Sequence, residues 1–195
     1  YSSRHTSEND ARIEFKEHLS KMYGYNKDEL TFRKLDFGVG IRRESWKNNV
    51  VAVGLSSFFL EPIESTAIAT MHYQISTIAD MLTTDYILPD DKIKRFNEVN
   101  NLAVDAIASY IELHYIMTKR DDSQFWKDVA NIPFTKEQSD IMDLYLDKSK
   151  KFNRATLRAT TNGHNLFDQS SFLFLYLGYD LLPNNVYSMN SLYSP

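Results

Sequence analysis

From Pro62 onward, apolar residues recur at helical spacing for most of the chain, and this pattern constrains the fold more than any other feature. Residues 62 to 82 are predicted to form one helix, and 90 to 118 a longer one. The longer helix carries Ile93, Phe96, Leu102, Ala103, Ala106, Ile107, Tyr110, Ile111 and His114 on one stripe. "DDSQFWKDVA" starts a short helix with Asp122 or Ser123 as its cap. Thr135, with Gln138 three residues later, opens another over 135–151 as a capping box. A last apolar segment, "SFLFLYLGYDLLP", ends at Pro183.

The chain ahead of Pro62 reads differently. Ile13, Phe15, Leu19 and Met22 predict a surface helix over 8–22, closed by Gly24. The period then becomes two. Leu35, Phe37, Val39 and Ile41 alternate with Asp36, Gly38 and Gly40, which predicts a half-buried strand within 31–43. The glycine face suits either a bulge or the close approach of a backbone or ligand. "NVVAVGL" (49–55) predicts a short buried strand that feeds a loop. Strands first and helices after make the piece α+β.

Composition removes several function classes. A net charge of -4 over 195 residues, without a dense Lys/Arg block, argues against nucleic-acid binding. The clusters "RRESWK" and "KSKKFNR" read as solvated faces. With no cysteine, disulfides, thiolate catalysis and Cys-based zinc sites are excluded within this chain. No run of about 18 apolar residues is present to span a membrane. The five histidines lack close ligand spacing, so no metal site is expected. A start at Tyr1 and an end at "NSLYSP" are read as those of a piece of a longer polypeptide.

The stretch "GLSSFFLEPIESTAI" (54–68) places Glu61 and Glu64 around Pro62 at the mouth of the predicted helix. Pro62 fits the first helical position, which makes Glu61 the N-cap and puts Glu64 in the first turn. Two readings share this geometry. Glu64 can be a glutamate that reaches back to cap the backbone. Alternatively, the free N–H groups hold a small anion while the carboxylate positions or deprotonates something beside it.

At this level of detail "WKNNVVAVGLSSFFLEPIESTAI" resembles the signature of the flavin-dependent halogenases of the tryptophan-halogenase family. The likeness runs through Trp46, Asn49, Gly54, Leu55, Ser56, Phe59, Glu61, Pro62, Glu64, Ser65, Thr66 and Ile68. "YSSRHTS" (1–7) and "HYIMTKRDDSQFW" (114–126) resemble two further motifs of that family, in its order and spacing. The resemblance implies that this is the C-terminal portion of a larger, FAD-dependent monooxygenase-like α/β fold. Residues 1–68 would end the FAD-binding, mixed-sheet region, and 69–195 would form a helical substrate-side region.

The same resemblance implies an activity. Reduced FAD, supplied by a separate flavin reductase, O2 and a halide (chloride, bromide or iodide) generate hypohalous acid. That reagent halogenates an electron-rich aromatic small molecule with the help of a lysine outside this segment. Glu64 matches the assisting glutamate, Thr66 and Ala67 the backbone amides that hold halide, and Leu55 and Ile68 positions that touch the flavin. Gly54 belongs to the cofactor-side turn, and Ser65 links the two halves of the machinery. A cytoplasmic enzyme, with a homodimer allowed, is the corresponding expectation. The family's G-x-G-x-x-G, W-x-W-x-I-P and catalytic lysine are absent from this segment. Ala67 stands where glycine is usual, and Phe58 where a small residue is usual. On the substrate side, Ala155, Thr156, Asn162 and Leu166 occupy the positions of the family's tryptophan clamp, so free tryptophan is expected to be a poor substrate. A flavin-dependent hydroxylase and a non-catalytic helical module are the alternatives.

Overall fold

The structure, a computed structural model, describes residues 1–84, 88–147, 149–161 and 166–182. It is mostly helical, with four strands of two residues each among the described residues. α1 (Glu8–Tyr23) is opened by Ser7, whose hydroxyl accepts from the Asp10 N–H, and closed by Gly24 in the left-handed region at φ 74°. β1 (Gly40–Ile41) pairs antiparallel with β4 (Phe58–Phe59), Gly40 opposite Phe59. β2 (Trp46–Lys47) and β3 (Val50–Val51) form a small hairpin, and Asn48 takes the positive φ that its turn requires.

The half-buried strand expected over 31–43 is thereby cut to two residues. Leu35, Phe37 and Val39 are exposed, Phe37 by 70%. Only Gly40–Ile41 find a partner edge, so among the described residues the alternating side chains upstream have no layer to cover them. "NVVAVGL" is likewise shortened to β3, with Val50 exposed, before Gly54–Ser56 turn as a single 3-10 turn.

α2 spans Thr66–Thr84 and α3 Asp90–Ile116. α3 is the spine of the molecule. The predicted stripe is buried at Phe96, Ala103, Ala106, Ile107, Tyr110 and Ile111, but Leu102 is exposed, while Asn100, Val104 and Leu113, outside the predicted stripe, are buried as well. α4 (Gln124–Ala130) uses Ser123 as its cap, and α5 (Lys136–Leu146) opens with the expected Thr135–Gln138 capping box. α5 ends earlier than expected, where Asp147 turns extended at ψ 113°. The short α6 (Arg154–Thr160), capped by Asn153, occupies chain that periodicity could not assign, since seven residues make barely two turns. α7 (Gln169–Gly178), capped by Asp168, is the helical part of the last apolar segment; Pro183 lies outside the described residues.

The main core packs Tyr110, Leu113 and Ile116 of α3 against Ile141 and Tyr145 of α5, Leu157 of α6, and Phe172, Leu173 and Tyr176 of α7. Its contacts are largely ring on ring: Phe172 meets Tyr110 edge-on at 4.9 Å, and Tyr145 and Tyr176 lie 4.7 Å apart. At the other end of α3, Trp46 meets Phe96 edge-on at 5.2 Å. No described helix is long and apolar enough to cross a membrane.

Candidate functional site

The site grows from the turn that Gly54 makes. Gly54 sits at φ 60°, and a Cβ there would come within 3.1 Å of the Met71 sulfur, so both conformation and space favour glycine. Its N–H donates to Gln74 Oε1 at 2.9 Å. Gln74 is buried on α2, and its Nε2 donates to Ser57 Oγ (3.1 Å) and to Asn100 Oδ1 (2.8 Å). Asn100 in turn donates to Ser45 Oγ at 3.1 Å. Ser45 spends its only proton on the Arg42 carbonyl, so in the 2.9 Å Ser45–Ser57 contact Ser57 is the donor. Every polar atom that Gln74 and Asn100 bury is thus met, which locks the Gly54 turn to α2 and α3.

Pro62 does not open the helix as predicted, and Glu61 does not cap it. Glu64 lies at φ 62°, ψ 4° and Ser65 at φ 52°, two consecutive non-glycine residues in the left-handed region, and α2 begins only at Thr66. Each such residue costs on the order of 1–3 kcal/mol and persists only where its surroundings hold it. Both carboxylates are held by α3 instead of by the backbone of α2. Tyr115 donates its hydroxyl proton to Glu61 Oε2 at 2.5 Å, and Glu64 Oε1 lies 3.1 Å from His114 Nε2. Burial, reinforced by the Glu61 carboxylate, pushes the Tyr115 phenol up to about 12.

His114 was predicted only as a stripe residue; the structure makes it the partner of Glu64. Its Nδ1 faces the Tyr110 carbonyl at 3.3 Å, its ring meets the Tyr110 ring edge-on, and its own carbonyl accepts from the Tyr179 hydroxyl at 2.6 Å. Both ring nitrogens therefore face acceptors. A proton on Nε2 donates to Glu64 Oε1, and that contact fixes the direction of the carboxylate. Glu64 Oε2 has no protein donor among the described residues.

These contacts also join the three motifs read from the sequence. Glu61 and Glu64 meet Tyr115 and His114, while His5 Nε2 lies 2.8 Å from Asp128, one turn beyond Gln124 on α4. Gln124 and His5 both hold the Asp128 carboxyl below its ordinary range. A cavity of about 1010 Å³ lies between these motifs, walled by Phe37, Phe59, Glu61, Tyr115, Phe125 and Trp126. Glu64 is not part of that wall.

Around the helix start, Leu55 and Ile68 present bare apolar side chains, 71% and 68% exposed. They lie on adjoining elements, the Gly54 turn and the first turn of α2. Thr66 and Ala67 occupy that first turn, where backbone N–H groups lack helical acceptors, and Thr66 is buried. Two exposed aliphatic faces beside a glycine turn suit the flat ring of a flavin, and the amides suit an anion. Phe58, which stands where the family usually has a small residue, is buried within β4. Ser65 is exposed between Glu64 and the helix. Leu166 lines a separate cavity beside α6, and Asn162 lies outside the described residues. No group of three or more potential metal ligands clusters among the described residues.

Gln74 and Asn100 were missed by sequence reading, although amides on an otherwise apolar helical stripe were the available signal.

A family model described as tryptophan halogenase matches residues 1–194. Tryptophan 6-halogenase ThaL from Streptomyces albogriseolus is 27% identical over 194 residues, which cover 95% of this chain and 35% of ThaL. Tryptophan 7-halogenase KtzQ from Kutzneria sp. is 29% identical over 150 residues, 74% of this chain and 26% of KtzQ. Among solved structures, BrvH, a flavin-dependent halogenase from Brevundimonas sp. BAL3, superposes with a TM-score of 0.72 at 28% identity, over 98% of this chain and 38% of BrvH. The chain thus spans between about a quarter and two fifths of the length of these relatives.

Proposed function

Because this chain belongs to the tryptophan halogenase family, we propose that it forms the halide-facing and substrate-facing part of a flavin-dependent halogenase that acts on an electron-rich aromatic compound. Residues 1–68 contribute the cofactor-side wall and 69–195 the substrate side. The catalytic lysine and the dinucleotide-binding motif belong outside this segment, a separate reductase delivers the reduced flavin, and the cytoplasm is its compartment. Bound reduced FAD would supply the two electrons with which O2 turns halide into an electrophilic halogen.

The residues of this chain have separate tasks. Leu55 and Ile68 seat the apolar ring of the cofactor against the Gly54 turn. The Thr66 and Ala67 N–H groups, aided by the positive end of the α2 dipole, attract halide. Glu64 Oε2 receives the proton that the aromatic ring loses when halogen replaces it, while His114 holds Oε1 and fixes the carboxylate's direction. The left-handed backbone at Glu64 and Ser65 separates these tasks by turning the acid out of the helix that presents the amides.

The observation that carries this reading is Glu64 itself, a glutamate in a disfavoured backbone conformation, clamped by His114, directly before the N–H groups of α2. The test uses the full-length protein with a flavin reductase, halide and a panel of phenols and indoles. A product mass that changes with the halide supplied is expected. Glu64→Gln should retain FAD binding and lose at least about a hundredfold in turnover, the usual range for a general acid–base group. Normal halogenation by that variant would refute the assignment.

A further inference from the structure

We propose that Met71 is a modification site where hypohalous acid made by the protein is intercepted, its thioether becoming a sulfoxide that loosens the Gly54 turn and releases flavin. The proposal rests on the halogenase reading and adds a self-limiting step to it. Placement singles out this residue. Met71 stands on α2 three residues after Ile68 and four after Ala67, on the face they share and about 6 Å along the axis from Ala67. Its Sδ and Cγ cover the bare face of Gly54, since a Cβ there would fall 3.1 Å and 3.3 Å from them. The side chain is also 39% exposed, so a small reagent reaches it. The thioether thus bridges the helix that presents the halide-facing amides and the turn proposed to seat the flavin.

Chemistry selects it as well. With no cysteine in the sequence, the methionine thioethers are its softest and most readily oxidised side chains. Met22 is 61% exposed but lies on α1, Met117 and Met142 pack against the ring core, and Met81 is half-buried further along α2. Met189 lies outside the described residues. Only Met71 joins exposure to the proposed halide and flavin contacts.

The step balances without a further oxidant. A sulfur lone pair takes the halogen from hypohalous acid and releases hydroxide. Water then adds to the halosulfonium sulfur, halide leaves, and two protons are lost, one of them neutralising the hydroxide. Sulfur is oxidised by two electrons, the halogen is reduced by two, and halide is returned. The sulfoxide is polar and carries an accepting oxygen where an apolar sulfur had covered Gly54. That oxygen competes with Gln74 Oε1 for the Gly54 N–H, now held at 2.9 Å, or swings the side chain off the turn. Either change loosens the seat of Leu55 against the flavin.

The test runs the full-length protein with a flavin reductase, O2, bromide and catalase, without aromatic substrate, and maps sulfoxide by peptide mass spectrometry. Met71 is expected to be oxidised before the more exposed Met22, only with bromide present, and less when an indole is added. Hypobromite added from solution should reverse that order. The protein oxidised at Met71 should bind FAD at least about fivefold more weakly by flavin fluorescence, the scale of one lost hydrogen bond. Methionine sulfoxide reductase should restore the affinity. Met71→Leu, a swap of similar volume, should hold its FAD affinity within about twofold of its own starting value through the same treatment. Bromide-dependent product with Met71 unoxidised, Met22 oxidised first during turnover, or a Met71 sulfoxide that leaves FAD binding unchanged would each overturn the proposal. If turnover yields neither product nor sulfoxide, while hypobromite weakens FAD binding in the parent but not in Met71→Leu, the halogenase reading fails and the link between Met71 and the flavin seat stands.

Discussion

The two ends of α3 are held by different physics. Toward its N-terminus the helix grips the strand region through side-chain amides. Asn97 takes the Trp46 N–H and gives to the Trp46 carbonyl, both at 2.8 Å, as a neighbouring strand would. Asn101 reaches the Arg43 carbonyl, and Asn100 with Gln74 ties the Gly54 turn. Toward its C-terminus the same helix is embedded in rings from α5 and α7. Ring packing is non-directional and tolerates shifts of a few tenths of an ångström. A network of directional amide hydrogen bonds does not. The stringent end is the one that carries the proposed cofactor-side turn, and the tolerant end packs against α5, α6 and α7.

Cutting the ring cluster should give the largest stability loss. Phe172→Ala removes a fully buried ring and is expected to lower unfolding stability by about 3–5 kcal/mol, read from the denaturant midpoint. Gln74→Ala should be less harmful to the fold, about 1–3 kcal/mol, because it strands the Gly54 N–H and partners on Ser57 and Asn100 rather than opening a large cavity. Its effect on function should be the reverse. Gln74→Ala is expected to weaken FAD binding, measured by flavin fluorescence, more than Phe172→Ala does. Equal flavin affinity in both variants would break the comparison. Glu64→Gly is expected to change stability by less than about 1 kcal/mol, since the strain that glycine relieves at φ 62° is offset by the lost His114 contact and a freer unfolded chain, while halogenation is lost with the carboxylate.

The same contrast explains what was legible in the sequence. The ring-packed half follows helical periodicity, so α3, α5 and the last apolar segment could be placed from Tyr110, Ile141 and Phe172 and their neighbours. The capping residue Thr135, and a cap at Asp122 or Ser123 that the structure gives to Ser123, were legible for a local reason, because a cap satisfies backbone within three residues. The E-P-I-E start was misread because local rules favour Pro62 at the first helical position. The distant partners Tyr115 and His114, more than 49 residues away, instead claim both glutamates. No window of local sequence contains that information. The strand expected at Leu35–Ile41 shortened for a related reason: alternation states which face wants cover, and only Phe58–Phe59 supplies an edge among the described residues.

The smallest effect concerns the second glutamate pair and separates it from the first. Tyr115 titrates near 12 rather than 10.0, through burial first and the Glu61 hydrogen bond second. Its folded pKa is raised, so the contribution of this contact is fully present below pH 10.0 and is lost as pH rises toward about 12. Glu61→Gln removes the charge and should move the tyrosinate absorbance transition of Tyr115 part of the way back, with burial retaining the larger share. Tyr115→Phe identifies the transition by deleting it. Because Tyr115 and His114 are neighbours that hold Glu61 and Glu64 separately, Glu61→Gln should leave halogenation within about a few-fold of the parent, whereas Glu64→Gln should not. A loss in Glu61→Gln as deep as that in Glu64→Gln would mean that the two carboxylates act as one unit, with the strained Glu64–Ser65 backbone held by both anchors at once.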